Sequence, residues 1–240
     1  MKKILTTAIL CAGLVGFTAC DSFLDEDPKS SLTLDTYYKT SADIIGNVNY
    51  LYRDGAPDKM GNMTGAYRGS SLSVMNMVTG YFVNEYEGQE VDCSYARQLT
   101  RQDFTQSCCN YLTNDTWKSC YKSINVANAV IKYVDGVEMD NQAQYKAEAR
   151  FFRALNYFYL VKMFGDVPMV TEPTEDATLV EYPTRTAASE VFNTVIIPDL
   201  QFAVENLPNA TFAGNSHRVT KYAADMLLAD VYMRLGAVSY

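Results

Sequence analysis

Apolar and aromatic residues recur at Ala147, Phe151, Ala154, Leu155, Phe158 and Val161. That is the i, i+4, i+7 spacing of a helix turning one face into a core. Lys146, Arg150 and Arg153 form a second, narrow stripe at the same spacing, read as solvated or ion-paired, with Glu148 facing elsewhere. Gly165 stands where a left-handed residue closes a helix, and Pro168 cannot continue one, so this helix is expected to end near Phe164. Four more helical patterns surround it. Residues 37–52 read as a helix capped by Ser41, with Asp43 in its first turn and Ile44, Val48 and Leu51 along one face. Residues 117–134 repeat apolar positions at Trp117, Cys120 or Tyr121, Ile124, Ala127 or Asn128, and Ile131, closed by Asp135 and Gly136. A helix opening at Thr186 turns Val191, Phe192, Val195 and Ile196 inward, is kinked or restarted at Pro198, and stops at Leu207-Pro208. The last, Tyr222 to Leu235, places Ala223, Met226, Leu227, Val231 and Leu235 inward and ends at Gly236. The pattern predicts an all-α protein.

Between Arg53 and Asp115 the periodicity dissolves into segments rich in glycine, asparagine and aspartate. An irregular region this long inside a compact domain is a place for function. Its aromatics, Tyr67, Tyr81, Phe82, Tyr86 and Tyr95, stand among polar neighbours rather than on a helical stripe. Tyr81, Phe82 and Tyr86 are therefore the candidate ligand contacts, because sugar rings lay their apolar faces on aromatic side chains. Trp117, Tyr157 and Tyr159 sit in helical phase and are assigned to packing. Residues 165–184 read as a proline-bearing linker.

The first residues change the compartment. Lys2 and Lys3 precede an apolar run from Ile4 to Phe17, then Thr18-Ala19-Cys20 and an acidic segment, Asp21 to Asp27. Residues 1–19 read as a secretory signal peptide, too short for a transmembrane span. Cys20, after a small residue, is the expected lipidation site, and residues 20–36 a lipidated N-terminus and tether; Cys11 follows bulky Leu10 and is removed with the signal. Losing Lys2 and Lys3 takes the formal net charge from −8 by two units to −10, which disfavours nucleic acid and anionic lipid as partners. Outside the cytoplasm Cys93, Cys108, Cys109 and Cys120 could form two disulfides in any of three pairings, although the adjacent Cys108 and Cys109 are poor partners for each other.

Candidate chemistry is sparse. A single histidine, His217, and the lack of any CxxC leave no metal-ligand spacing. No nucleophile motif or phosphate loop is present. Glu85, Glu87 and Glu90 are the best carboxylate pairing for glycoside hydrolysis, and Asp54, Asp58 and Asn62 the best calcium set, but both lie in the irregular region without the spacing either chemistry needs. Neither an enzyme nor a cofactor is expected.

Residues 148–173, EARFFRALNYFYLVKMFGDVPMVTEP, resemble the signature segment of the SusD/RagB-like family, outer-membrane nutrient-binding lipoproteins of Bacteroidetes. The Cys20-Asp-x-Phe-Leu-Asp start is similar to the beginning of their mature chains, and its acidic run to their export signal to the outer face. Trp117, Cys120, Tyr121, Ile124, Ala127 and Asn128 resemble the first helix of the family's tetratricopeptide unit, Ala147, Phe151 and Ala154 the second, and residues 184–208 and 222–235 a further, degenerate pair. The resemblance implies tetratricopeptide-like helical hairpins with a long irregular loop region, over 37–240. Members are longer, so it also implies a domain truncated at its C-terminus, whether as a gene product or an expressed piece. It implies a lipid-anchored protein on the cell exterior that binds a nutrient, such as an oligosaccharide, without altering it, and delivers it to a TonB-dependent, SusC-like β-barrel transporter. The alternatives are a peptide-capturing member of the same family, a tetratricopeptide-type protein-interaction module, and a non-functional fragment.

Overall fold

The computed structural model describes residues 33–52, 79–81, 101–102, 107–175 and 183–237. Its helices are α1 (Leu34–Tyr37), α2 (Ser41–Tyr50), α3 (Ser107–Tyr133), α4 (Gln142–Phe164), α5 (Ala188–Val191), α6 (Ile197–Asn206) and α7 (Lys221–Ala237). The one isolated β-bridge among the described residues pairs Val167 with Thr186. α3 and α4 pack together across the short connection 134–141, as α6 and α7 do across 207–220, so each pair is an antiparallel helical hairpin. α4 lies between α3 and α6, and α2 packs on both α3 and α4. The all-α, tetratricopeptide-like expectation is met. The central position of α4 explains its pattern, because Ala147, Phe151, Phe152, Ala154, Tyr157, Phe158, Leu160 and Val161 are all buried.

The helix ends differ from expectation in instructive ways. Thr40, not Ser41, caps α2: Thr40 is extended (ψ 160°), its Oγ1 accepts from the Asp43 N–H, and the Asp43 carboxylate accepts from the Thr40 N–H at 2.8 Å. The Thr40 hydroxyl, which donates to the same carboxylate at 2.6 Å, and after it the Thr40 and Lys39 N–H groups hold the Asp43 carboxyl below the usual aspartate value. A depressed folded pKa means that the cap is complete above the ordinary value of 3.8 and is lost as pH falls through the folded value. Thr40→Ala is expected to cost about 0.5–2 kcal/mol at neutral pH, and less in acid, by urea unfolding at both pH values.

α3 begins at Ser107, ten residues before Trp117. Apart from Leu112, the stretch Ser107–Thr116 holds residues of modest intrinsic helix preference and no sustained apolar period, which is why the sequence pattern does not mark it as helix. Cys120, on the buried face of α3, carries a free thiol that burial pushes up to about 12. This corrects the expectation of two disulfides among four cysteines. Cys93 lies outside the described residues.

The restart expected at Pro198 is met: α6 begins at Ile197 with the proline in its first turn, where a missing donor is tolerated. Residues Phe192–Ile196 form a π-helical turn in which the Ile197 N–H reaches back to the Phe192 carbonyl, accommodating the missing donor of Pro198 inside one continuous helical run. On α7 Ala224 and Val231 are fully buried and Ala223, Leu227, Leu228 and Leu235 pack half-buried against the core, while Met226, expected inward, is 75% exposed, a second correction. Tyr222, Met226 and Met233 line its outer side at helical spacing, so α7 is apolar on both sides and periodicity alone could not fix its face.

The segment after α4 is a strap rather than a linker. Gly165 adopts φ 68°, ψ −124°, a positive φ that suits glycine but not the left-handed helical conformation expected there. The chain then reverses: Val167 pairs with Thr186, and the Asp166 carboxylate accepts from the Ala188 N–H, capping α5 from a distance. Tyr121 and Tyr157 donate their hydroxyls to the carbonyls of Pro168 and Val170, and Asn128 donates to Val170 and Glu172. The extended backbone of residues 168–172 is thus satisfied by side chains of α3 and α4 instead of by a strand. Among the described residues no helix is long and apolar enough to cross a membrane.

Candidate functional site

Tyr81 is 89% exposed, beside Gly80 at φ 77°, and its N–H bonds Thr79 Oγ1. Phe82 and Tyr86, its expected companions, lie outside the described residues, as do Tyr67, Tyr95, the signal segment and Cys20. The carboxylates Glu85, Glu87 and Glu90 and the set Asp54, Asp58 and Asn62 lie there too. Trp117, Tyr157 and Tyr159 serve packing, as expected. The Trp117 ring meets Tyr121 at 5.0 Å and the edge of Phe164 at 5.1 Å, with the Arg185 guanidinium over it. Tyr157 is fully buried, and burial pushes its hydroxyl up to about 12.

The charged stripe of α4 is ion-paired, more deeply than its sequence suggested. Arg153 is buried against Asp199 of α6, Nε to Oδ2 at 2.6 Å and a second nitrogen to Oδ1 at 2.9 Å, and also donates to Asn128. Burial pushes the Asp199 carboxyl up, and the Arg153 hydrogen bonds act in the opposite direction. Arg150 lies over the Phe202 ring, 3.7 Å from Asp199, and Lys146 pairs with Asp135. Glu148, which faces elsewhere as expected, is wholly buried and accepts from Arg218, Tyr52 and Gln144. The pairs at Asp199 and Glu148 lock helices together with both carboxylates buried, whereas Asp135 is exposed at the surface. Sequence reasoning missed Asp199 and Arg218 as their partners because the pairs span 46 and 70 residues.

Two hollows open on the surface near the amino-terminal helices. One, of about 730 Å³, lies between the start of α2 and the α3–α4 connection and is lined by Ser41, Ile45, Glu138, Asp140, Asn141 and Tyr145. The other, of about 300 Å³, lies between α1, α2 and α3. Tyr37 and Tyr38 meet edge to face at 5.0 Å beside it, and Tyr38 stacks on Tyr133 at 5.1 Å, so the aromatic wall is fixed by packing. No group of three or more potential metal ligands occurs among the described residues. The larger hollow adds the carboxylates of Glu138 and Asp140 to its amide and hydroxyl groups, whereas the smaller presents only aromatic, amide, hydroxyl and aliphatic groups, suited to holding a ligand by stacking and hydrogen bonds.

Comparison with known proteins accounts for this architecture. The SusD-like protein P2 of Formosa agariphila is 29% identical over 239 residues, spanning 98% of this chain and 44% of the relative. A solved laminarin-binding SusD-like protein superposes with a TM-score of 0.66 at 24% identity over 83% of this chain and 41% of that one. A structure solved with xylogluco-oligosaccharide gives 0.57 at 23% identity, covering 79% and 34%. The chain thus spans less than half the length of the relatives it matches. A family model described as starch-binding and associating with the outer membrane matches residues 22–233, and the chain belongs to this SusD-like family.

Proposed function

We propose that this protein captures a glycan at the cell surface and delivers it, chemically unchanged, to a TonB-dependent, SusC-like transporter in the outer membrane, held there by lipid on Cys20. The observation that carries the reading is the family match over nearly all of the chain beyond the signal segment. The laminarin-binding and xylogluco-oligosaccharide-bound neighbours support a neutral glycan as the ligand. The helical hairpins form a rigid frame for docking on the transporter, and the irregular region bearing Tyr81, Phe82 and Tyr86 faces the ligand. If each aromatic contact contributes about 0.5–1.5 kcal/mol beyond the area it buries, two or three with several hydrogen bonds give micromolar-to-millimolar affinity, suited to capture followed by release.

Isothermal titration of the chain beginning after Cys20 against plant, host and microbial oligosaccharides tests this. Saturable binding is expected, weakened several-fold by Tyr81→Ala or Tyr86→Ala. A folded protein that binds no glycan overturns it. The outward apolar stripe of α7, Tyr222, Met226 and Met233, favours a second reading in which a protein or peptide is the partner. A negative glycan panel would move the weight there.

A further inference from the structure

The 300 Å³ hollow between α1, α2 and α3 carries hydrogen-bonding capacity that the fold does not use. Asn125 accepts the Thr174 N–H on Oδ1 at 2.7 Å. A backbone donor requires the oxygen there, so the amide orientation is fixed and its NH₂ has no partner among the described residues. Asn47 donates its NH₂ to the Asp43 carbonyl at 2.9 Å and to the Tyr37 hydroxyl at 3.2 Å. By the same logic its Oδ1 is the unspent acceptor, and the Tyr37 hydroxyl, accepting from Asn47, keeps its own proton to donate. Two donors and one acceptor therefore border a floor made by Leu34, Val126 and Ala129, and the side chains lining the hollow carry no charge.

Resting on the glycan-binding reading above, we propose that this hollow is a sugar subsite that takes one uncharged pyranose residue. The chemistry selects that class. Adjacent hydroxyls of a sugar both donate and accept, matching an amide NH₂, an amide oxygen and a phenol, while the C–H face of the ring covers the apolar floor. A purely apolar ligand would leave all three polar groups unpaired beneath it, a penalty that rejects it. A phosphate or uronate finds no cation in the lining. The volume is at the lower end for ligand pockets, which suits one ring of a longer chain. Tyr37, 38% exposed, stands at the edge where the neighbouring sugar would leave.

Asn125→Asp keeps the oxygen that holds Thr174 but replaces the donor with an anionic acceptor, and Tyr37→Phe removes the hydroxyl together with the acceptor of one Asn47 N–H; both hydrogen bonds are open to water, so both variants should keep the circular dichroism and cooperative unfolding of the unaltered protein. Titrated with laminari- and xylogluco-oligosaccharides, Asn125→Asp should bind about tenfold more weakly, and Tyr37→Phe about threefold, as expected for one hydrogen bond each to a bound ligand. In the unaltered protein the side-chain amide resonances of Asn47 and Asn125 should shift as the sugar is added. Glycan binding that neither variant weakens overturns the subsite and leaves the glycan reading standing. Absence of any binding, with both amide resonances unmoved, overturns the two together.

Discussion

Asp199→Ala is expected to lower the unfolding free energy by about 3–5 kcal/mol, because it leaves a guanidinium buried without its counter-charge. Arg153 has a side chain only 10% exposed and Asp199 only 2%, so water cannot take over the lost bonds. The effect is not confined to the pair. Arg153 also donates to Asn128, whose own NH₂ holds the carbonyls of Val170 and Glu172. Removing the carboxylate frees Arg153 to shift, and the strap loses part of its anchor. A double variant, Arg153→Met with Asp199→Leu, should recover much of the loss, since a well-packed apolar pair often matches a buried ion pair in stability. Urea unfolding followed by circular dichroism measures both. A single variant within about 1 kcal/mol of the unaltered protein would show that the pair is solvated and the burial argument mistaken.

How far the sequence reveals this structure depends on the range of the interaction. The apolar stripe of α4 and its stop near Phe164 are legible because a helix writes its packing at three- and four-residue spacing, and the end needs only Gly165 and Pro168. The cap of α2 is legible to within one residue: threonine and serine stand side by side, and only the extended backbone at Thr40 separates them. The face of α7 is not legible, because Met226 and Ala224 are both apolar and the choice depends on which side α6 occupies. Nor is the role of Phe-Gly-Asp-Val-Pro, which resembles a family signature yet acts as a joint. Gly165 turns the chain, Asp166 caps α5 and Val167 meets Thr186, partners about 20 residues away.

The candidate site divides in the same way. The aromatic-rich candidate region is visible in sequence as a break in periodicity, and of its proposed contacts the described residues include only Tyr81, which is exposed. The hollow at Tyr37, Asn47 and Asn125 is invisible there, because it joins positions 47 and 125 across two helices and its evidence is hydrogen-bonding capacity left over after the fold has been satisfied. One local signal does exist. Asn47 on α2 and Asn125 on α3 are amides within otherwise apolar patterns, and a partly buried amide needs partners from somewhere.

Arg218→Met should destabilise the protein by about 3–5 kcal/mol, and by more than Glu148→Gln does. The asymmetry follows from burial: the Glu148 side chain is 0% exposed and that of Arg218 21%, so an abandoned arginine reaches water while an abandoned glutamate does not. Arg218 supplies Glu148 with bonds from Nε at 3.0 Å and a terminal nitrogen at 2.6 Å, leaving only Tyr52 at 2.9 Å and Gln144 at 3.1 Å when it is removed. The same guanidinium donates to Asn49 and lies over the rings of Tyr52 and Tyr145, while the Tyr52 hydroxyl accepts the Val219 N–H. One side chain thus pins α2, α4 and the connection before α7. Loss of that pin should appear first in α2, which has no hairpin partner of its own. Hydrogen exchange in Arg218→Met should therefore quicken over residues 44–52 well before the amides of α4 and α6 lose protection. Uniform loss across all helices would mean that α2 unfolds only with the whole, and that Arg218 stabilises the core rather than the attachment of α2 to it.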